Sequence, residues 1–404
     1  MLKSRLCIAF FAFAVGCAPA QKPLTDYVNP MLGTATLWDS VDLGFKPTKR
    51  TWGAEVFPGS SLPNAMVQVS PVTKFHSGAG YQYEDSVIYG FTHTNKGHWN
   101  LCHIPLLPVT GTPTPGDYCS PFSHERESAA PGYYQVFLDR YGVDAQLSST
   151  LRCAFHKYTY PAGAAPAVLA DLQRSNEHVR AWDIRKEGDN VFAGWQQTGE
   201  KMYFYAVANR PVTGIEPVVE GDREVRIVRF GEGDGALELR IGFSFVSEKN
   251  ARENLEAEML GKSFAEVRSE ATATWNDLLG RIRVEGGTER EKGLFYSSLY
   301  RSFLWPALRS DVNGEFTDVD GKVINPGFRY YTGPSYWDDY RNKLILLGML
   351  APDVAADVIS SDVDKGEKRG GFMPTFFHGD HASAFVAGTY LRGNRGFDVN
   401  RAYN

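Results

Sequence analysis

The hydrophobic pattern changes its period once along this 404-residue chain, close to residue 248. Before that point, short alternating or apolar runs are separated by Gly, Pro, Asn and Asp, which is typical of strands joined by turns. After it, segments rich in Ala, Glu, Lys and Leu recur at helical spacing. A single switch of this kind predicts an α+β multidomain protein in which an all-β unit precedes a helical one.

The first unit is predicted to be an antiparallel β-sandwich over residues 25–248. Many short strands with turn residues between them need two facing sheets to bury their apolar sides. Seven runs carry this prediction: Met66–Ser70, Tyr133–Leu138, Lys157–Tyr160, Val168–Asp171, Lys201–Ala206, Val225–Phe230 and Leu237–Phe243.

Helices are predicted for most of the remaining chain. A helical linker is expected over residues 249–285, with a capping box at Ser263 and Glu266 and a short strand at Ile282–Val284. Residues 286–404 read as an incomplete helical domain made of hairpins, because too few helices are present to enclose a core. These helices are predicted at Glu289–Ala307, Trp337–Leu350, Pro352–Ser361 and His381–Leu391, with another beginning near Phe397.

Composition excludes one class of partner. The net charge is -5, and acidic and basic residues are interspersed without a basic stripe, which argues against nucleic acid. Aromatic residues make up 13% of the chain, and many of them lie near Gly, Asn and Asp. This distribution fits a polar, ring-shaped ligand.

The first twenty residues have the pattern of an export signal. Basic residues precede an apolar run, Leu6–Val15, that is too short to span a bilayer, and small residues follow it. Cleavage after Ala20 would release a soluble protein into the periplasm or the extracellular space. Alternatively, Ala14–Cys17 resembles the bacterial lipoprotein box, in which Cys17 would carry a lipid anchor.

The segment Ser335–Arg341, Ser-Tyr-Trp-Asp-Asp-Tyr-Arg, contains the residue types that bind a sugar. A pyranose has apolar C–H faces that stack on aromatic rings, and its hydroxyls need both acceptors and donors. If the segment is one helix, Trp337, Asp338 and Arg341 lie three or four residues apart and share a face. The alternative is a core tryptophan beside a local Asp–Arg pair that supports the helix.

Four other segments occur in a recognisable order: Tyr27–Thr34, Gly53–Pro71, Gly90–Thr94 and Phe122–Val136. Together with Ser335–Arg341, they resemble glycoside hydrolase family 92 in sequence and spacing. The resemblance extends from Tyr27 to the last residue. It implies an N-terminal β-sandwich followed by an (α/α)6 toroid, and an exo-acting alpha-mannosidase that depends on calcium, inverts the anomeric centre and binds terminal mannose between the two domains.

The resemblance also implies residue roles. Asp338 corresponds to the family's Asp that holds mannose hydroxyls, and Trp337 and Arg341 complete that motif.

On the sandwich side, the resemblance places Phe57 and Gly59 in the family's Phe-Pro-Gly loop and His93 in its Ser/Thr-His-Thr motif. Both are expected to border the mannose pocket. The alternatives are a plain turn at Pro58–Gly59 and a structural histidine at His93.

Catalysis raises a difficulty, because inversion needs one protonated carboxylic acid and one carboxylate that activates water. The family's acid is a Glu, and the matching stretch Gly370–Ala382 contains none. By position, Asp380 is the candidate donor, ahead of His378 and His381, although it could equally cap the helix that follows. The family's base and several calcium ligands would lie beyond Asn404. We therefore expect a truncated chain that binds calcium weakly or not at all and does not release mannose.

Two other kinds of protein fit the same features. One is a carbohydrate-binding protein in which the altered stretch His378–His381 has lost the chemistry and kept the recognition. The other is a sugar phosphorylase, because some of these enzymes also join a sandwich to a helical toroid.

Overall fold

The structure is a computed structural model, and it describes residues 22–36, 44, 56–96, 99–373 and 379–404. The predicted export signal over residues 1–20, with Cys17, lies outside the described residues, as does His378. The fold is mixed α and β, and its strand pairs are antiparallel.

Two large sheets fill the first part of the described chain. One has seven strands in the spatial order Ser60–Ser61, Gln68–Val72, Gly90–Thr92, Leu106–Val109, Ala167–Ala170, Arg223–Phe230 and Val212–Glu220. The other has eight, in the order Ala181–Lys186, Val191–Gln197, Lys201–Ala208, Leu237–Ser244, Cys153–Thr159, Val143–Ser149, Tyr133–Leu138 and Glu127–Ala130. Each of the seven predicted runs overlaps one of these strands.

Three small two-stranded sheets accompany them. Their pairs are Val87–Ile88 with Ser120–Pro121, Asn95–Lys96 with Trp99–Asn100, and Phe316–Thr317 with Val323–Ile324.

Both large sheets contribute side chains to one hydrophobic core. Phe91 of the seven-stranded sheet lies with its ring centroid 6.4 Å from that of Tyr134 and 6.3 Å from that of Tyr158, both in the eight-stranded sheet. The strand Lys201–Ala208 alternates strictly between buried and partly exposed residues, as a strand with one face on a core must.

Helices dominate the rest of the described chain. They span Glu248–Glu258, Phe264–Leu279, Glu289–Ser302, Tyr336–Asp339, Lys343–Leu350, Pro352–Glu367, His381–Leu391 and Val399–Tyr403. Short 3-10 turns occur at Leu24–Tyr27 and His124–Arg126. The capping box predicted at Ser263 and Glu266 is confirmed, and Thr288 and Glu291 form a second one. Across the described residues, no helix combines the length and apolar content that crossing a bilayer requires.

Two predicted elements end elsewhere for reasons visible in the backbone. The strand predicted at Ile282–Val284 is wrong, because the N–H of Ile282 bonds to the carbonyl of Leu279 and continues the preceding helix as a turn. The helix predicted to reach Ala307 stops at Ser302, and Pro306, which lacks an N–H, follows shortly after.

Two later helices also differ from expectation. The helix predicted over Trp337–Leu350 is two helices, because Asn342 leaves helical geometry and its side chain accepts the N–H of Lys343 as a new N-cap. The helix that starts at Pro352 was expected to end at Ser361 and continues to Glu367.

The sheets and helices meet at Asn64, in the loop that follows the Phe-Pro-Gly motif. Its backbone N–H donates to the carbonyl of Phe303 at 2.6 Å, and its side-chain amide donates to the carbonyl of Pro306 at 2.8 Å. In return, the N–H of Leu308 donates to the Asn64 carbonyl at 2.9 Å. These bonds fix the segment after helix Glu289–Ser302 against the sheets.

Candidate functional site

Trp337 lies in the single-turn helix Tyr336–Asp339 and is 49% exposed, so the alternative of a core tryptophan is wrong. Asp338 is also exposed, and it accepts a hydrogen bond from the Ser335 hydroxyl. An aromatic ring and a carboxylate are thus both presented to solvent at the start of a helix.

Arg341 does not share that helix. Because the helix ends at Asp339, Arg341 falls in the turn before Lys343, and the expected single face carrying all three side chains is wrong. Arg341 is exposed, and its guanidinium carbon lies 5.4 Å from the centroid of the Tyr340 ring.

The start of helix His381–Leu391, where the candidate acid Asp380 was predicted, packs directly beside the Trp337 segment. The imidazole of His381 stacks on the ring of Tyr340, with centroids 4.3 Å apart and planes at 11°. Deeper in the core, the ring centroids of Tyr336 and Phe385 are 6.1 Å apart. The tryptophan segment and the start of helix His381–Leu391 therefore form one corner, which is the candidate site.

Asp380 is the N-cap of helix His381–Leu391. Its carboxylate accepts the backbone N–H of Ser383 at 3.2 Å and the Ser383 hydroxyl at 2.6 Å. The hydrogen bond from the Ser383 hydroxyl, followed by that from the backbone, lowers the pKa of Asp380. This geometry fits the capping alternative, and a lowered pKa is the opposite of what a general acid needs. The catalytic role of Asp380 stays a prediction.

A titration of Asp380 would test its state. We expect its carboxyl to titrate below the ordinary value of about 3.9, and Ser383→Ala to move the pKa back towards that value. Because the folded pKa is lowered, the cap stabilises the protein above about pH 3.9 and is lost as the pH falls through the folded value. Asp380→Ala should cost about 1 kcal/mol of unfolding free energy. A pKa above that ordinary value by carboxyl-resolved NMR would instead support an acid role.

On the sheet side, the Phe-Pro-Gly loop is packed rather than open. Phe57 is buried in the core. A Cβ on Gly59 would lie 2.1 Å from the carbonyl oxygen of Val69, so only glycine fits against the strand there. Gly59 thereby allows Ser60 to pair with Val69.

His93 lies between the two large sheets and is fully buried. Its Nε2 lies 3.0 Å from Nε2 of His156, whose Nδ1 lies 2.6 Å from the hydroxyl of Tyr158. Burial lowers the pKa of His93 to about 3, so the ring is neutral. In this arrangement a sugar in solution does not reach the ring, and the role of His93 in the pocket stays a prediction.

A short path of hydrogen bonds links the loop at Asn64 to the tryptophan segment. The N–H of Ala307, beside the segment held by Asn64, donates to the Thr332 hydroxyl at 2.9 Å. The N–H of Thr332 donates back to the Ala307 carbonyl at 2.9 Å. The loop after Gly59 and the Trp337 segment are therefore connected through the residues around Ala307.

Family models for the two halves match almost the whole chain. The model of the glycosyl hydrolase family 92 N-terminal domain matches residues 27–253, and that of the family 92 catalytic domain matches residues 250–404. The chain belongs to glycosyl hydrolase family 92. The resemblance read from the sequence motifs is thus confirmed.

Solved structures and a curated relative agree with this family 92 membership. A family GH92 alpha-mannosidase from Bacteroides thetaiotaomicron, also solved in complex with mannoimidazole, is 26% identical with a TM-score of 0.85, over 95% of this chain and 56% of that chain. An uncharacterized secreted glycosidase of Arthroderma benhamiae is 25% identical in an alignment of 344 positions that covers 72% of this chain and 42% of the relative. This chain spans about half the length of these relatives.

The described residues of this family 92 protein do not fit a calcium ion. Among them, no group of three His, Cys, Asp or Glu side chains could hold a metal. Calcium needs six to eight oxygen ligands, whereas Asp339 is paired with Lys343 at 3.0 Å, and Asp380 caps a helix.

Sequence reasoning missed the residues that support the Trp337 segment from beneath. Asp362 and Lys365 are buried in helix Pro352–Glu367, beyond the point where that helix was expected to end. Asp362 and Lys365 are oppositely charged and lie three residues apart, in a segment that also contains Ala and Val. This pattern could have indicated a longer helix.

Proposed function

We propose that this family 92 protein binds terminal alpha-linked mannose of glycans, with Trp337, Asp338 and Arg341 as its contacts, and that the full-length protein releases this mannose as a glycosidase. The observation that carries the proposal is the exposed ring of Trp337 beside the exposed carboxylate of Asp338. The mannosidase solved with mannoimidazole supports the choice of sugar, because it resembles 95% of this chain.

The chemistry of these three side chains suits a pyranose. The Trp337 face would stack on the apolar C–H groups of the ring. The Asp338 carboxylate would accept hydrogen bonds from sugar hydroxyls, and the Arg341 guanidinium would donate to hydroxyl oxygens. Such charge-assisted bonds are about twice as strong as neutral ones, which favours a specific orientation of the sugar.

For the domains, we propose a β-sandwich over residues 25–248, a helical linker over 249–285 and the opening of an (α/α)6 toroid over 286–404. The shared core of the two large sheets and the change to helices at Glu248 support this division.

Export is part of the proposal. The Arthroderma relative is named a secreted glycosidase, which supports a periplasmic or extracellular location. Cleavage of residues 1–20 and lipid attachment at Cys17 are the two routes that fit the sequence.

We further propose that hydrolysis by the full-length protein inverts the anomeric centre and depends on calcium, as the family resemblance implies, and that this chain alone binds mannosides without turning them over. For Asp380 to act as the acid, both hydrogen bonds from Ser383 would have to break, since they hold its pKa low. The same observation favours a second candidate function, a non-catalytic carbohydrate-binding protein.

Two measurements on the purified chain test these proposals. Titration with methyl α-mannoside, followed by NMR, should show binding that methyl α-galactoside does not match. Incubation with alpha-linked mannobiose, with and without calcium, should release no mannose. Absence of mannoside binding would contradict the proposed site, and steady calcium-dependent release would contradict the expected inactivity and support the glycosidase over the binding protein.

A further inference from the structure

The loop that leads to Trp337 is held by helix Pro352–Glu367, which crosses beneath it. The backbone N–H of Tyr331 donates to the Ser361 hydroxyl at 3.0 Å. The carbonyl of the same residue accepts from Nζ of Lys365 at 2.9 Å. The backbone N–H and carbonyl of one loop residue are therefore both fixed by side chains of a single helix.

Asp362 holds the other end of this loop. Its Oδ2 accepts a hydrogen bond from the hydroxyl of Tyr336, the residue directly before Trp337. Its Oδ1 accepts from Nζ of Lys365 at 2.9 Å. The Asp362 side chain is fully buried, and that of Lys365 is 10% exposed.

The loop also passes close over this ion pair. A Cβ on Gly333 would lie 3.5 Å from Oδ1 of Asp362 and 3.8 Å from Nζ of Lys365, which is van der Waals distance. Tyr331 and Tyr336 are thus tied to the same two charges, with Gly333 packed between them.

A buried ion pair is a poor way to gain stability, because the desolvation of two charges offsets most of their attraction. Its directional bonds, in contrast, restrict neighbouring groups to one geometry. At this place the restricted groups are the loop's two anchor residues, and the exposed residues that follow are Trp337 and Asp338.

We propose that the Asp362–Lys365 pair positions the mannose site by holding Tyr331 and Tyr336, and so sets where the Trp337 ring and the Asp338 carboxylate lie. This inference rests on the proposed mannose binding. Asp362 and Lys365 act through the loop and do not touch the sugar.

The chain contains a matched control in the sheets. Asp171 is also fully buried, and it accepts from a tyrosine hydroxyl, Tyr118 at 2.6 Å, and from a cation, Arg223 at 2.7 Å. Asp171→Asn and Asp362→Asn therefore remove the same kind of charge from the same kind of partners, in different halves of the molecule.

The experiment uses the full chain labelled with 5-fluorotryptophan. Trp337→Phe assigns the 19F resonance of Trp337 among those of the eight tryptophans. Asp362→Asn and Lys365→Met are expected to shift or broaden this resonance and to weaken methyl α-mannoside binding by about tenfold, the effect of losing one hydrogen bond to a charged group. Asp171→Asn should lower the unfolding midpoint but change neither the Trp337 resonance nor the affinity.

A milder pair of variants guards against unfolding. Tyr336→Phe removes only the hydroxyl that donates a hydrogen bond to Asp362, and it should move the Trp337 resonance in the same direction as Asp362→Asn does. Tyr118→Phe should leave that resonance unchanged. An unchanged resonance in folded Asp362→Asn and Tyr336→Phe proteins would overturn the inference. If the unsubstituted chain binds no mannoside, the proposed function fails, while the Trp337 resonance still decides whether the ion pair positions Trp337.

Discussion

Trp337→Ala is expected to weaken binding of methyl α-mannoside by about 30-fold and to leave the unfolding midpoint almost unchanged. About half of the residue's surface is already exposed, so little of the core is lost with its side chain. Covering roughly 80 Å² of ring with sugar, at about 25 cal/mol per Å², corresponds to ~2 kcal/mol, or about 30-fold in Kd. Isothermal titration gives the affinity, and a thermal melt gives the stability.

Two further variants make this measurement specific. Trp337→Phe keeps an aromatic face, so its affinity should lie between those of the unsubstituted chain and Trp337→Ala. Leu391 is 80% exposed at the far end of helix His381–Leu391, ten residues or about 15 Å from the candidate corner, so Leu391→Ala should leave the affinity unchanged. Equal losses in Trp337→Ala and Leu391→Ala would show that exposed apolar surface in general, and not Trp337, binds the sugar.

The exposure of Trp337 agrees with its local chemistry, although the sequence alone left a core tryptophan as the alternative. A tryptophan followed by two aspartates disfavours burial of the segment, because buried carboxylates need partners. The strands were predictable for a similar reason, since the alternation in Lys201–Ala208 requires one covered face.

The predictions of secondary structure were wrong where a single backbone or capping hydrogen bond determines which element forms. Ile282–Val284 alternates like a strand, but the N–H of Ile282 is already used by the end of a helix. The predicted helix from Trp337 breaks because the Asn342 side chain caps a new helix, and a hydrophobic pattern does not register one such bond.

The supporting residues depend on packing between distant parts of the chain. Asp362 meets Tyr336 across 26 residues, and His93 meets His156 across 63 residues. The sequence motif identifies His93 but does not show whether it is buried. Its burial depends on His156, which comes close only when the two sheets pack together. Family resemblance indicated the segments of the candidate site, and the structure was needed to separate its exposed residues from its buried ones.

Glu258→Ala is expected to reduce the free energy of unfolding by about 3 to 5 kcal/mol, because it leaves a buried charge without its partner. The side chains of Arg152 and Glu258 are 9% and 14% exposed. Glu258 accepts from Nη1 of Arg152 at 2.7 Å, from the Arg152 backbone N–H at 2.9 Å and from the Thr150 hydroxyl. Denaturation in urea, followed by fluorescence, measures the change.

The same helix provides the control. Glu256 pairs with Arg252 at 2.7 Å on the exposed face of helix Glu248–Glu258, so Glu256→Ala should change stability by no more than about 0.5 kcal/mol. Adding Arg152→Met to Glu258→Ala should recover part of the loss, since the unpaired charge is then removed. A loss for Glu258→Ala no larger than that for Glu256→Ala would contradict the expectation.

This pair also bears on the proposed sugar site, because Arg152 reaches from the sheets into the helical half. Its Nε donates to the carbonyl of Ser310 at 2.8 Å, while the Ser310 hydroxyl accepts the N–H of Tyr330 at 3.1 Å. Tyr330 directly precedes the loop that carries Trp337. Glu258→Ala should therefore weaken mannoside binding even at temperatures where the protein stays folded, whereas Glu256→Ala should not. A destabilised variant with the affinity of the parent would show that the junction stabilises the fold without positioning the site.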